Sequence, residues 1–220
     1  MKKKEAWITV TALLGASIFM VLFEQFLQPD YWVKSGVKVL LFGFTGAALL
    51  LRFGPQQAKK LFSTRALGTA VLLGVGVFAV ILAAYFLLRQ LIDLDTIATN
   101  ILGKGISRDN FLLVAAYICI VNSFLEEFFF RGIGCCLLQE LMSKKAAWIL
   151  SAAAFSLYHV GIMSGWFSIG LFALALLGLF VGGLLFNWLN RHGSLYPSWL
   201  VHCAANLAIN SIGLMMFDIL

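Results

Sequence analysis

The stretch FLLVAAYICIVNSFLEEFFF, residues 111–130, decides the fold of this chain: it is long and apolar enough to cross a bilayer, yet it carries two adjacent glutamates. About 20 predominantly apolar residues in a helix span a ~30 Å hydrocarbon core. An ionisable side chain at that depth costs on the order of 2.5–3.5 kcal/mol even on insertion scales. A chain that keeps Glu126 and Glu127 there, with Arg131 four positions after the second, uses them for more than scaffolding.

Outward from this stretch, apolar runs of similar length recur at 6–27, 35–52, 66–88, 146–163, 166–189 and 195–217. With 111–130 they make seven candidate spans, and six or eight remain compatible with the boundaries. In a bilayer the backbone has no water to pair with, so these runs must be helical. The expected fold class is all-α, a polytopic transmembrane helix bundle. The chain has 220 residues, 61% hydrophobic and 12% charged, against roughly 25% charged in soluble domains. Residues 1–220 read as a single integral membrane domain without an added soluble module.

The net charge of +6 does not point to nucleic acid, because the charges cluster at the ends of apolar runs. The partner it implies is the lipid bilayer. The basic start, Met1 to Glu5, resembles a signal peptide, but the apolar run behind it is too long and lacks a small-residue cleavage site, so it reads as the first span. With the N-terminus cytoplasmic, Lys2, Lys3, Lys4, Arg52, Lys59, Lys60, Arg65, Arg131, Lys144, Lys145 and Arg191 fall inside. Only Lys34, Lys38, Arg89, Lys104 and Arg108 fall outside, which favours that orientation. Lys38 weakens the second run but lies near enough to its end to snorkel. Cys119, Cys135, Cys136 and Cys203 lack CxxC spacing and read as buried free thiols. Between Gln90 and Asn110, apolar residues recur at near-helical spacing, so part of that connection is expected on the membrane surface. Gly132 to Met142 is expected to continue span four into the cytoplasmic interface.

Helix geometry separates the glutamates, since residues i and i+4 share a face and neighbours differ by about 100°. Glu127 stacks over Arg131, where a charge-assisted hydrogen bond can neutralise both. Glu126 lies on the face of Asn122 and Phe130, free to work. Of three histidines, His192 sits in a polar connection, whereas His159 and His202 lie within spans. Phe155 precedes His159 by one turn, and Asn206 follows His202 by one turn. A carboxylate and an imidazole sharing a water can take its proton. A second imidazole with a carboxamide can donate to the oxyanion of an attacked carbonyl. Without a serine or cysteine nucleophile motif, direct attack by water is the simplest chemistry.

Three motifs now stand in order: Glu126-Glu127-Phe-Phe-Phe-Arg131, Phe155-Ser-Leu-Tyr-His159 and His202-Cys-Ala-Ala-Asn206. They resemble the EExxxR, FxxxH and HxxxN motifs of the CAAX protease and bacteriocin-processing family of intramembrane glutamic endopeptidases, also called the ABI family. The resemblance covers residues 111–210, the expected catalytic core. It implies a metal-independent intramembrane endopeptidase that cuts a membrane-associated or hydrophobic peptide or protein. It further implies that Glu126 and His159 activate water, that His202 and Asn206 form an oxyanion hole, and that Glu127, Arg131 and Phe155 support them. The basic N-terminus and short length look like a prokaryotic member in the cell membrane. No cofactor is implied. Two alternatives stay open on the residues alone: a zinc-dependent membrane protease using the same side chains, and a non-catalytic bacteriocin-immunity or membrane assembly protein.

One feature fits imperfectly. With span four ending near residue 130, Glu126 lies close to the cytoplasmic end, while His159 lies 14 residues beyond Lys145, or ~21 Å at 1.5 Å per residue. The two meet only if span five starts above the membrane surface or span four is displaced outward.

Overall fold

The computed structural model describes residues 2–64 and 66–220; Arg65, counted above on the inner side, lies outside the described residues, as does Met1. Among the described residues, seven helices are long and apolar enough to cross a membrane: α1 Lys2–Leu27, α2 Tyr31–Phe53, α3 Leu67–Leu91, α4 Phe111–Glu140, α5 Lys144–Met163, α6 Ile169–His192 and α7 Tyr196–Met216. No strand occurs among the described residues. The chain is thus an all-α bundle with the seven apolar helices of an integral membrane protein, and the expected spans agree with these bounds except at α4.

Local chemistry sets the helix starts. The Asp30 carboxylate accepts from the Trp32 N–H at 2.8 Å and opens α2. The Ser143 hydroxyl accepts from the Ala146 N–H at 3.3 Å at the head of α5. Pro197 occupies the first turn of α7, where its missing N–H leaves no helical bond unmade. Within the 90–110 connection, Leu94–Leu102 forms a short helix capped by Asp93. The backbone N–H and the hydroxyl of Thr96 both donate to that carboxylate and hold it below its ordinary pKa.

The bundle is built around α4. Its inner half, from Leu125 through Leu138, is buried without interruption. Phe42 of α2 stacks on Phe129 at 4.1 Å between ring centroids and meets Phe130 and Tyr158 edge-on. The expected continuation of span four past residue 130 is present to Glu140, and its first part is buried: Ile133, Cys136 and Leu137 pack against Leu49, Leu61 and Leu195. Around it, α5 packs on α1 and α6, while α7 packs on α3. Helices α3 and α6 keep most of their apolar surface exposed, as lipid-facing spans do.

The depth mismatch disappears with the longer α4. Glu126 stands 14 residues before its end at Glu140, and His159 stands 15 residues after the start of α5 at Lys144. At 1.5 Å per residue both lie ~21–22 Å from the turn that joins the two helices, and therefore at one level. Neither a raised α5 nor an outward-displaced α4 is required.

Glycine permits one approach that positions the site. A Cβ on Gly183 of α6 would lie 3.0 Å from the Cα and Cβ of Ala152 on α5, and 3.3 Å from Nη2 of Arg131. Small residues at such crossings let membrane helices pack closely. Gly183→Val should therefore separate α5 from α6 and lower stability by about 1–3 kcal/mol. Thermal unfolding of the purified protein in detergent measures this, and a variant as stable as wild type would refute the packing account.

Candidate active site

Glu126 and Glu127 stand where a short α-helical stretch, Ser123–Glu126, meets wide π-helical turns over Glu127–Leu137; similar π turns occupy Ile118–Asn122. Single-turn π geometry inside α-helices is frequent at functional sites. Both glutamates are buried, as are Arg131 and His202.

Glu127 is an anchor, but for two groups. Its Oε1 lies 3.3 Å from Nη1 of Arg131 and 2.9 Å from Nδ1 of His202. The expected charge-assisted hydrogen bond to Arg131 is not formed: none of the guanidinium nitrogens, nor Oε2 of Glu127, has a hydrogen-bond partner. Charge and stacking hold the arginine instead. Its guanidinium carbon sits 3.9 Å from the centroid of Phe155 and 4.9 Å from that of Phe186. Phe155, named by the FxxxH motif, thus touches the arginine, and it also lies edge-on to His159 at 4.6 Å and to His202 at 5.8 Å.

Glu126 is engaged through one oxygen. Its Oε1 accepts from Nζ of Lys38 at 2.9 Å and from Nδ2 of Asn122 at 3.0 Å. Its Oε2 faces Nε2 of His202 at 3.8 Å. Lys38 also donates to Oδ1 of Asn122 at 2.6 Å, which closes a three-residue ring of bonds. Lys38 is therefore no snorkelling residue: it is 4% exposed, and its ammonium lies 5.1 Å from the centroid of Tyr158. Turning inward offers this cation two acceptors that the hydrocarbon lacks. Motif matching missed Lys38, because it lies on α2. The available signal was the one that singled out the glutamates, an ionisable residue within an apolar run.

Both histidines lie against Phe155. His159 Nδ1 lies 2.7 Å from the carbonyl oxygen of Phe155. A carbonyl only accepts, so Nδ1 carries the proton and neutral His159 keeps a lone pair at Nε2. Its ring makes no ion-pair contact with Glu126 within 4.0 Å. His202 likewise has Nδ1 committed, to Glu127, and leaves Nε2 toward Glu126. Asn206, one turn along α7, donates from Nδ2 to the carbonyl of Ile118 at 3.2 Å, with its second amide hydrogen uncommitted. His192 is exposed at the end of α6, away from this cluster. All four cysteines are free thiols.

A buried carboxylate pair, two imidazoles and a carboxamide are gathered from three helices of a membrane bundle, an arrangement chemically suited to hydrolysis by an activated water. Comparison with known proteins narrows it. The model of the family described as "Type II CAAX prenyl endopeptidase Rce1-like" matches residues 108–208. That segment, just under half of the chain, is similar to the CAAX protease family of intramembrane endopeptidases. Searches of curated proteins and of solved structures returned no match.

Removing one partner of a buried ion pair strands a charge and costs about 3–5 kcal/mol. Arg131→Met should lose stability on that scale, seen as a lowered unfolding temperature in detergent. Arg131→Lys should recover only part, because a compact ammonium cannot lie flat on Phe155 and Phe186. Full recovery by lysine would show that stacking contributes nothing.

Proposed function

We propose that this protein is a metal-independent glutamic endopeptidase of a prokaryotic cell membrane, with its N-terminus in the cytoplasm, that hydrolyses a peptide bond of a membrane-associated or hydrophobic substrate. The observation that carries the reading is the way the side chains are committed. Glu126 is bonded through Oε1 alone, and both intramembrane histidines are tied through Nδ1. One carboxylate oxygen and two Nε2 atoms are thereby left for a water and a carbonyl.

In this reading a water donates one hydrogen to Oε2 of Glu126 and the other to Nε2 of His159. Its oxygen adds to the substrate carbonyl carbon as Glu126 takes the proton, and the carbonyl electron pair moves onto oxygen. His202 and Asn206 hold that oxyanion. Because Nδ1 of His202 already donates to Glu127, its Nε2 can donate only when the ring is an imidazolium, whose charge Glu127 offsets. Collapse of the intermediate breaks the carbon–nitrogen bond, and Glu126 returns its proton to the leaving amine. Phe155 and Arg131 keep the imidazoles and Glu127 in register.

The donor set also argues against zinc. Among the described residues no three His, Cys, Asp or Glu side chains are grouped to share an ion. The accessible nitrogens stand beside a carboxylate that already carries a lysine ammonium. Metal analysis of purified, active protein should find no stoichiometric zinc, and chelators should leave cleavage intact. Stoichiometric zinc whose removal abolishes cleavage would overturn the water-activating carboxylate.

A proteomic comparison of membrane fractions tests the activity itself. Glu126→Ala and His159→Ala, present at wild-type levels, should each accumulate the same uncut peptides. If neither accumulates any and every cellular effect persists, the cluster serves only to hold helices. Glu127→Gln should lower cleavage by about 10²–10⁴-fold, because a neutral carboxamide cannot offset the charge of the imidazolium. Wild-type cleavage by this variant would remove Glu127 from the mechanism.

A further inference from the structure

Lys38 lies on α2, outside the segment 108–208 that carries the family match, yet it makes the shortest contact to the proposed base. Charge compensation alone would not need the arrangement seen. An ammonium anywhere near the carboxylate lowers the cost of burying it. Here the ammonium and Asn122 converge on the same oxygen, and Asn122 is itself oriented by Lys38. A lysine only donates, so the carbonyl oxygen of the Asn122 side chain must face it, which turns the amide nitrogen toward Glu126. The carboxylate plane is thereby fixed at Oε1, and Oε2 is the atom turned toward His202.

The rest of the pocket cannot supply this. Arg131 is spent on Glu127, and Tyr158 beside Lys38 has a hydroxyl without a hydrogen-bond partner. The other buried lysine, Lys34, belongs to a separate cluster in which it and Lys104 share Glu24 at 3.1 and 3.3 Å. Of the lysines and arginines among the described residues, Lys38 is the one bonded to Glu126.

We propose that Lys38 is a positioning residue for peptide hydrolysis, which locks Oε1 of Glu126 through a joint bond with Asn122 so that Oε2 is the oxygen that meets the water. The inference rests on Glu126 being the base. A misplacement of about 1 Å in a reacting group can cost on the order of 10²-fold. Loss of the clamp should therefore reduce turnover strongly and leave substrate binding alone, because Lys38 is buried and its ammonium is bonded to Glu126 and Asn122.

The test uses the full-length protein in native membranes and in detergent. The probe is a synthetic copy of a peptide that accumulates uncut in Glu126→Ala membranes. Lys38→Met should lower kcat per folded molecule by about 100-fold with KM unchanged. Lys38→Arg, which can still donate to both oxygens, should restore kcat to within about tenfold of wild type. Lys38→Met combined with Glu126→Gln should be no slower than Glu126→Gln alone, since a residue acting through Glu126 adds nothing once the base is gone. The double variant buries no stranded charge, so it also reports whether α2 packs normally when Lys38→Met by itself fails to fold. Wild-type kcat in folded Lys38→Met would overturn the inference while leaving the base reading intact. So would an additive loss in the double variant, or an arginine variant as slow as methionine. If Glu126→Ala accumulates no peptide, the base reading fails, and the role of Lys38 falls with it.

Discussion

Two carboxylates buried side by side in the middle of α4 would each be costly to place in hydrocarbon without a counter-charge, and the bundle neutralises them by two separate routes. Glu127 faces Arg131 on its own helix at 3.3 Å. Glu126 faces Lys38 on α2 at 2.9 Å. The remaining geometry follows from keeping these pairs apart. Phe155 and Phe186 wall in the arginine, Asn122 and Tyr158 enclose the lysine, and His202 bridges the two carboxylates through its two ring nitrogens. Helix packing and site chemistry are thus one problem: moving α2 would strand Lys38 and Glu126 at membrane depth.

The pairing also assigns unequal work to chemically identical groups. Glu127 shares a single oxygen between a guanidinium and an imidazole, a position suited to orientation and charge balance. Glu126 has one oxygen bonded twice and the other unbonded, a position suited to proton transfer. The histidines show the same logic, since each commits Nδ1 to a fixed acceptor and presents Nε2 to the interior. The two imidazoles differ in what holds Nδ1, a neutral carbonyl for His159 and a carboxylate for His202.

Much of the site was legible in the chain. The i, i+4 relation put Glu127 on Arg131 and Glu126 on Asn122, and both contacts are present. The spacing from Phe155 to His159 brought ring and imidazole onto one face, and they touch. These relations are local, and a helix translates them directly into neighbours. Less legible was the burial of α4 past residue 130. Gly132 to Met142 is expected to continue span four into the interface, and its part up to Leu138 is buried because Leu13 of α1, Leu49 and Leu50 of α2, and Leu61 close over it.

Composition and intramembrane charge, read alone, determined that this protein is a helical bundle of about seven spans, and singled out Glu126, Glu127, His159, His202 and Asn206 as polar residues placed within them. Backbone satisfaction in lipid admits little else, and each polar residue at that depth needs a use or a partner. Only the tertiary structure decided which cation meets which carboxylate. Lys38 stands 88 positions before Glu126, and no helical periodicity links them. Their contact exists because α2 packs against α4 with Phe42 stacked on Phe129, which carries the lysine inward instead of up to the lipid headgroups.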